Sequence, residues 1–161
     1  MSVRSFRQLL PIILLVLASA PAAACFGPKL YVGVAVEPRQ DALYALVTLY
    51  VQEKTGVESE RVTLVPGEEP AQALAAERVD LAFAAVPPAG ATTLLAIAGY
   101  PVLASGARPL SDLQFTTVVP ALRKLAALLT PRDLQELEAR VAAGEKPLAA
   151  ARRLCMERRW L

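Results

Sequence analysis

Residues able to do chemistry are few in this chain, and the commonest catalytic sets are missing. There is no histidine, which excludes Ser-His and Cys-His arrangements and most zinc sites. The adjacent acids Glu68 and Glu69 are the nearest approach to a general acid/base pair. No nucleophile, base or metal-ligand set accompanies them, and acids ahead of a helix ordinarily serve its positive dipole end. Thr92-Thr93 and Thr116-Thr117 have no partner that would activate a hydroxyl. The expectation is therefore a non-enzymatic protein without a cofactor. What remains is a pair of cysteines, Cys25 and Cys155, and a handful of polar residues whose use depends on where the chain places them.

The chain's start suggests export. Arg4 and Arg7 precede an apolar run from Leu9 to Leu17, and Ala18 to Ala24 is rich in small residues. A charged start, an apolar core and a small-residue cleavage site are the parts of a secretory signal. The run falls short of the ~20 residues of a membrane span; an uncleaved anchor is the alternative. The expected signal peptide is residues 1–24, leaving residues 25–161 as one domain. Removing Arg4 and Arg7 leaves 15 basic against 15 acidic residues. That balance favours neither nucleic acid nor an acidic surface. In an oxidising compartment, cysteines at the two ends of a domain suggest a Cys25–Cys155 disulfide, contributing about 4–5 kcal/mol in the chain-entropy view. The competing reading is a lipid anchor at Cys25, since Ala22-Ala23-Ala24-Cys25 is similar to a bacterial lipobox that lacks its usual leucine.

Strand and helix patterns alternate through the first half. Lys29 to Val36 reads as a strand, and its near-continuous apolar character suits burial on both faces. Arg39 to Lys54 reads as a helix with Leu43, Leu46, Val47 and Tyr50 on one stripe, ended by Gly56. Arg61 to Val65 and Asp80 to Val86 read as strands, with a short helix from Glu69 to Arg78 between them. This β-α-β-α-β order predicts an α/β fold: a parallel or mixed sheet with helices on both faces and a helical C-terminus. Ala91 to Ala98 is helix or buried strand, Tyr100 to Ser105 a further strand, and Gly106 to Pro109 loop. Asp112 to Leu129 is a helix that Pro120 should break or kink. Thr130-Pro131-Arg132-Asp133 is a capped helix start, and Gly144 ends that helix before a last one from Pro147 to Trp160.

The segment Leu129 to Val141, with Thr130, Asp133-Leu134 and Glu136-Leu137, resembles the tail of glycine betaine/choline/osmoprotectant substrate-binding domains of ABC transporters. Gly144-Glu145-Lys146-Pro147 and the helix after it fit that tail. Val32-Gly33, Gln40, Glu53-Lys54-Thr55-Gly56, Ala73-Leu74 and Val79-Asp80-Leu81 are similar to the family's opening elements. The resemblance implies a type II periplasmic binding fold and extracytoplasmic binding of small amines for import, with an ABC permease as partner. Family members have two lobes, and the chain crosses to the second after the third strand. Here only Pro87 to Gly99 separate Val86 from Tyr100, too little for a lobe. The chain resembles a single lobe of that fold.

In an open parallel sheet, ligands bind beyond the carboxyl ends of the strands. Three loops would line that edge, with Glu37, Arg39, Gln40, Glu68 and Glu69 as the polar candidates. The family's aromatic loop residues have no counterpart here, and a quaternary ammonium group needs ring faces. Phe83, Tyr44, Tyr50 and Trp160 read as packing residues. The expectation is a reduced ligand site, its missing wall supplied by a second lobe or protein; the alternative is an interaction module that binds no solute.

Overall fold

The computed structural model describes residues 27–161. The expected signal peptide and Cys25 lie outside them. Five strands form one sheet: β1 (Leu30–Val34), β2 (Ser59–Thr63), β3 (Leu81–Ala84), β4 (Thr92–Leu95) and β5 (Val102–Ser105). Their order is β2-β1-β3-β5-β4. β1 is parallel to β2 and β3, whereas β5 runs antiparallel to both β3 and β4. The sheet is thus mixed. Its helices are α1 (Pro38–Thr55), α2 (Pro70–Ala75), α3 (Arg108–Ser111), α4 (Val118–Leu128), α5 (Pro131–Ala142) and α6 (Pro147–Glu157).

Alternation along the strands separates two faces. Leu30, Val32, Val34, Leu81, Phe83 and Leu103 point to one and join a core with α1, α4, α5 and α6. The periodicity predicts a single buried stripe on α1; in fact Ala42, Leu43, Ala45, Leu46, Val47, Leu49, Tyr50 and Val51 are all buried. The reason is tertiary: α4, α5 and α6 all pack against α1, which becomes the centre of the domain. The opposite face carries Gly33, Ala82 and Ala104, covered by Leu64, Val79 and the α2 residues Ala73 and Leu74. A Cβ on Gly33 would stand 3.3 Å from Leu64 and 3.4 Å from Val79, so glycine is what lets this cover come close.

Several local expectations are met. Gly56 ends α1 with φ +73°, and Gly144 follows α5 with φ +94°. Thr130 and Asp133 form the reciprocal cap of α5, with Pro131 opening the helix. Phe83 and Trp160 are buried. Others need correction. The span from Asp112 to Leu129 is not one kinked helix: a 3-10 turn at Leu113–Phe115 precedes α4. Pro120 lies in the first turn of α4, where no backbone donor is needed, so it helps to set the start. The ambiguous segment after Gly90 resolves as the edge strand β4. Gly106 to Pro109, expected as loop, runs into α3.

The expected disulfide is also corrected. Cys155 is a free thiol, and it is wholly buried. It lies on the inward stripe of α6 with Ala150, Ala151 and Leu154, within the main core. Burial pushes its pKa up to about 11, so the neutral thiol is strongly favoured and behaves as a small apolar side chain. Among the described residues, no helix is long and apolar enough to cross a membrane.

Candidate functional site

Because β1, β2 and β3 are adjacent and parallel, their carboxyl ends share one edge. Each ends in the same way. A valine stands two residues past the last strand residue, with a proline immediately or one residue after it: Val36-Glu37-Pro38, Val65-Pro66 and Val86-Pro87. Proline fixes its own φ and holds the preceding residue extended. The three valines are 76, 59 and 71% exposed, among the most exposed large apolar residues described. All three therefore stand just past the carboxyl ends of adjacent strands, at one edge of the sheet.

The five polar candidates all lie at this edge, but Gln40 and Glu68 are committed to the loops themselves. Gln40 is buried; its side-chain oxygen accepts from the Ala35 N–H at 2.8 Å, and its amide reaches Glu37 at 3.4 Å. It therefore fixes the turn from β1 into α1. Glu68 accepts from the Val65 N–H at 3.1 Å and pairs with Arg78, which fixes the turn from β2 into α2. Glu37 and Glu69 are exposed at the N-caps of α1 and α2, and neither side chain caps its helix. Glu68 is thus held within its own turn, while Glu69 faces solvent.

Arg39 turns away from these loops toward a group that no local pattern announces. Its Nε lies 2.8 Å from Glu138 on α5, and its guanidinium stands 5.4 Å over the ring of Tyr100. One of its terminal nitrogens is 3.5 Å from the Gly99 carbonyl, and the Tyr100 hydroxyl is 3.4 Å from Glu138. Burial and the nearby Glu138 raise the Tyr100 pKa above its ordinary value, with Arg39 opposing them. Beside this cluster lies a cavity of about 300 Å³ lined by Pro38, Arg39, Ala42, Glu138, Val141 and Ala142. Tyr100 is the aromatic residue that the strand-end loops were expected to lack. It enters from the β4–β5 connection, because that connection returns to the carboxyl edge when β5 runs antiparallel.

Another ionic cluster lies at the opposite edge. Asp80, nearly buried, accepts from the Tyr31 N–H at 2.7 Å and from Arg108 Nε at 2.6 Å. Arg108 also donates to the Lys29 carbonyl at 3.0 Å and lies 4.9 Å from the Phe115 ring. These bonds tie β1, β3 and α3 together at the amino ends of the strands, which makes the pair a structural clasp. No group of three or more potential metal ligands occurs among the described residues. The chain matches no protein-family model, no curated protein and no solved structure.

Proposed function

We propose that this chain is a non-catalytic, extracytoplasmic lobe of the solute-binding type, presenting one wall of a site whose other wall comes from a second protein surface. The observation that carries this is the exposure of Val36, Val65 and Val86 just past the carboxyl ends of three adjacent parallel strands. Exposed apolar residues held by prolines at a strand-end edge suit contact with another surface. The polar candidates Gln40 and Glu68 are consumed within their own loops, which leaves little for a solute to bind on this wall alone. The likeness of Leu129 to Val141 and of the opening elements to glycine betaine/choline-type importers supplies the class of solute, a small amine. An ABC permease or a second lobe is the partner that this likeness brings with it. The connection from Val86 to Tyr100 is too short to carry that second lobe within this chain.

Calorimetric titration of residues 25–161 as a monomer with glycine betaine, choline and carnitine tests the reading. The expected result is no binding tighter than about millimolar, since a lone wall leaves most of a ligand in water. Micromolar binding by the monomer would overturn the one-wall proposal.

A further inference from the structure

We infer that Tyr100, Glu138 and the Gly99 carbonyl form a site for a small organic cation, occupied in the free protein by its own Arg39. The inference rests on the reading above only in placing ligand chemistry at this edge. Three different groups converge on the Arg39 guanidinium: a carboxylate at 2.8 Å, a ring face at 5.4 Å and a backbone carbonyl at 3.5 Å. Each attracts positive charge, and a ring face selects for diffuse rather than compact cations. The carboxylate is itself oriented by the Tyr100 hydroxyl at 3.4 Å.

Arg39 is a loosely held occupant. Its side chain is 55% exposed, while that of Glu138 is 28% exposed. Ion pairs so open to water are weak. Arg39 sits in the first turn of α1, with the cavity of about 300 Å³ alongside. The apolar lining from Pro38, Ala42, Val141 and Ala142 suits the methyl or methylene groups of an alkylguanidinium or alkylammonium ion. A free cation entering the site must displace a tethered one. The tether gives Arg39 a high effective concentration, so it should suppress binding until it moves aside.

The experiment is an NMR titration of the full mature chain with methylguanidinium and with tetramethylammonium, sodium serving as the control ion. Arg39→Ala and Arg39→Gln should each bind at least about tenfold more tightly than the unsubstituted chain, as expected when a tethered competitor is removed. Shifts should centre on Tyr100 and α5. Adding Tyr100→Leu or Glu138→Gln to Arg39→Ala should abolish the gain. Equal binding with and without Arg39, no saturable shift in either Arg39 variant, or a gain that survives loss of Tyr100 would each overturn the inference. None of these results bears on the one-wall proposal. That proposal fails only if the unsubstituted monomer binds at micromolar concentration.

Discussion

On one face of the sheet, Leu30, Val32, Val34, Leu81, Phe83 and Leu103 meet a core that takes in α1, α4, α5 and α6. On the other, Gly33, Ala82 and Ala104 meet the six-residue α2 and two loop residues, Leu64 and Val79. The same strands serve both faces. The difference lies in side-chain volume and in what covers it. Bulky residues under two layers of helix lose nearly all contact with water, and each contributes transfer energy and dispersion. Small residues under one short helix bury little and leave gaps. Cavities of about 230 and 220 Å³ flank α2, both lined by Leu74, Glu77, Gly106 and Ala107. Few buried apolar contacts mean a low cost of local opening, so the thin face should open before the thick one.

The largest test removes apolar volume from each face. Leu125→Ala on the thick face, where Leu125 has no exposed surface, should cost about 3–5 kcal/mol. Leu74→Ala, where the side chain is 6% exposed and borders both cavities, should cost only about 2 kcal/mol because its surroundings are already loose. Urea denaturation reads both. Equal losses would break the distinction between the faces.

The converse change adds volume. Gly33→Val should cost about 1–3 kcal/mol, because the new Cβ alone would meet Leu64 at 3.3 Å and both Ala82 and Val79 at 3.4 Å. The thin face is thus sensitive to filling where the thick face is sensitive to emptying. A neutral Gly33→Val, measured in the same way, would mean that α2 lifts freely and that Gly33 is not what sets its approach.

How much of this was legible in the sequence depends on how local each cause is. Thr130-Pro131-Arg132-Asp133 contains the whole cap of α5, so it could be read directly. Strand–helix alternation placed Glu37, Arg39, Gln40, Glu68 and Glu69 at one edge. It could not show that Gln40 and Glu68 are spent on their own loops. The antiparallel run of β5 left no mark in Val102–Ser105, since a strand's direction is set by its neighbours. The Arg39–Glu138 pair joins residues far apart in sequence and likewise has no local signal. Two signals were present and unread. The repeated valine-before-proline endings mark the exposed valines at the strand-end edge. Cys155 falls in step with Ala150, Ala151 and Leu154, the inward stripe of α6, which argues for a core thiol rather than a crosslink.

A smaller effect comes from acid, and it belongs to the thick face. Asp133 is buried, which pushes its pKa up, but hydrogen bonds from Thr130 and Arg158 outweigh this and leave it below the ordinary carboxylate value. A depressed folded-state pKa contributes stability above the unfolded value of about 3.9 and loses it as pH falls through the folded value. Asp133→Asn should therefore cost about 1 kcal/mol at neutral pH through the weakened cap. The gap between the two proteins should close as pH drops below about 4. A gap that stays constant in acid would show that Asp133 acts through geometry alone.

The smallest expected effect separates the faces most cleanly. Helices on both sides end in the same backbone motif, in which the residue after the cap takes a left-handed conformation. On the thin face this is Glu77, with φ +53° and the Arg78 N–H bonded to the Ala73 carbonyl at 3.0 Å. On the thick face it is Arg159, with φ +56° and the Trp160 N–H bonded to the Cys155 carbonyl at 2.8 Å. Glycine suits this position because it carries no Cβ. Glu77→Gly and Arg159→Gly should therefore each raise global stability by about 0.5–1 kcal/mol, net of the entropy gained by the unfolded chain. Hydrogen exchange at the Ala76 and Arg78 amides then distinguishes the faces. If α2 opens by itself, its open state keeps α6 folded, so Arg159→Gly cannot change protection there. Glu77→Gly should slow exchange at those amides about two- to fivefold, and Arg159→Gly should leave it unaltered. Equal slowing by both substitutions would mean that the thin face opens only when the whole domain unfolds, and the difference in depth between the faces would carry no difference in dynamics.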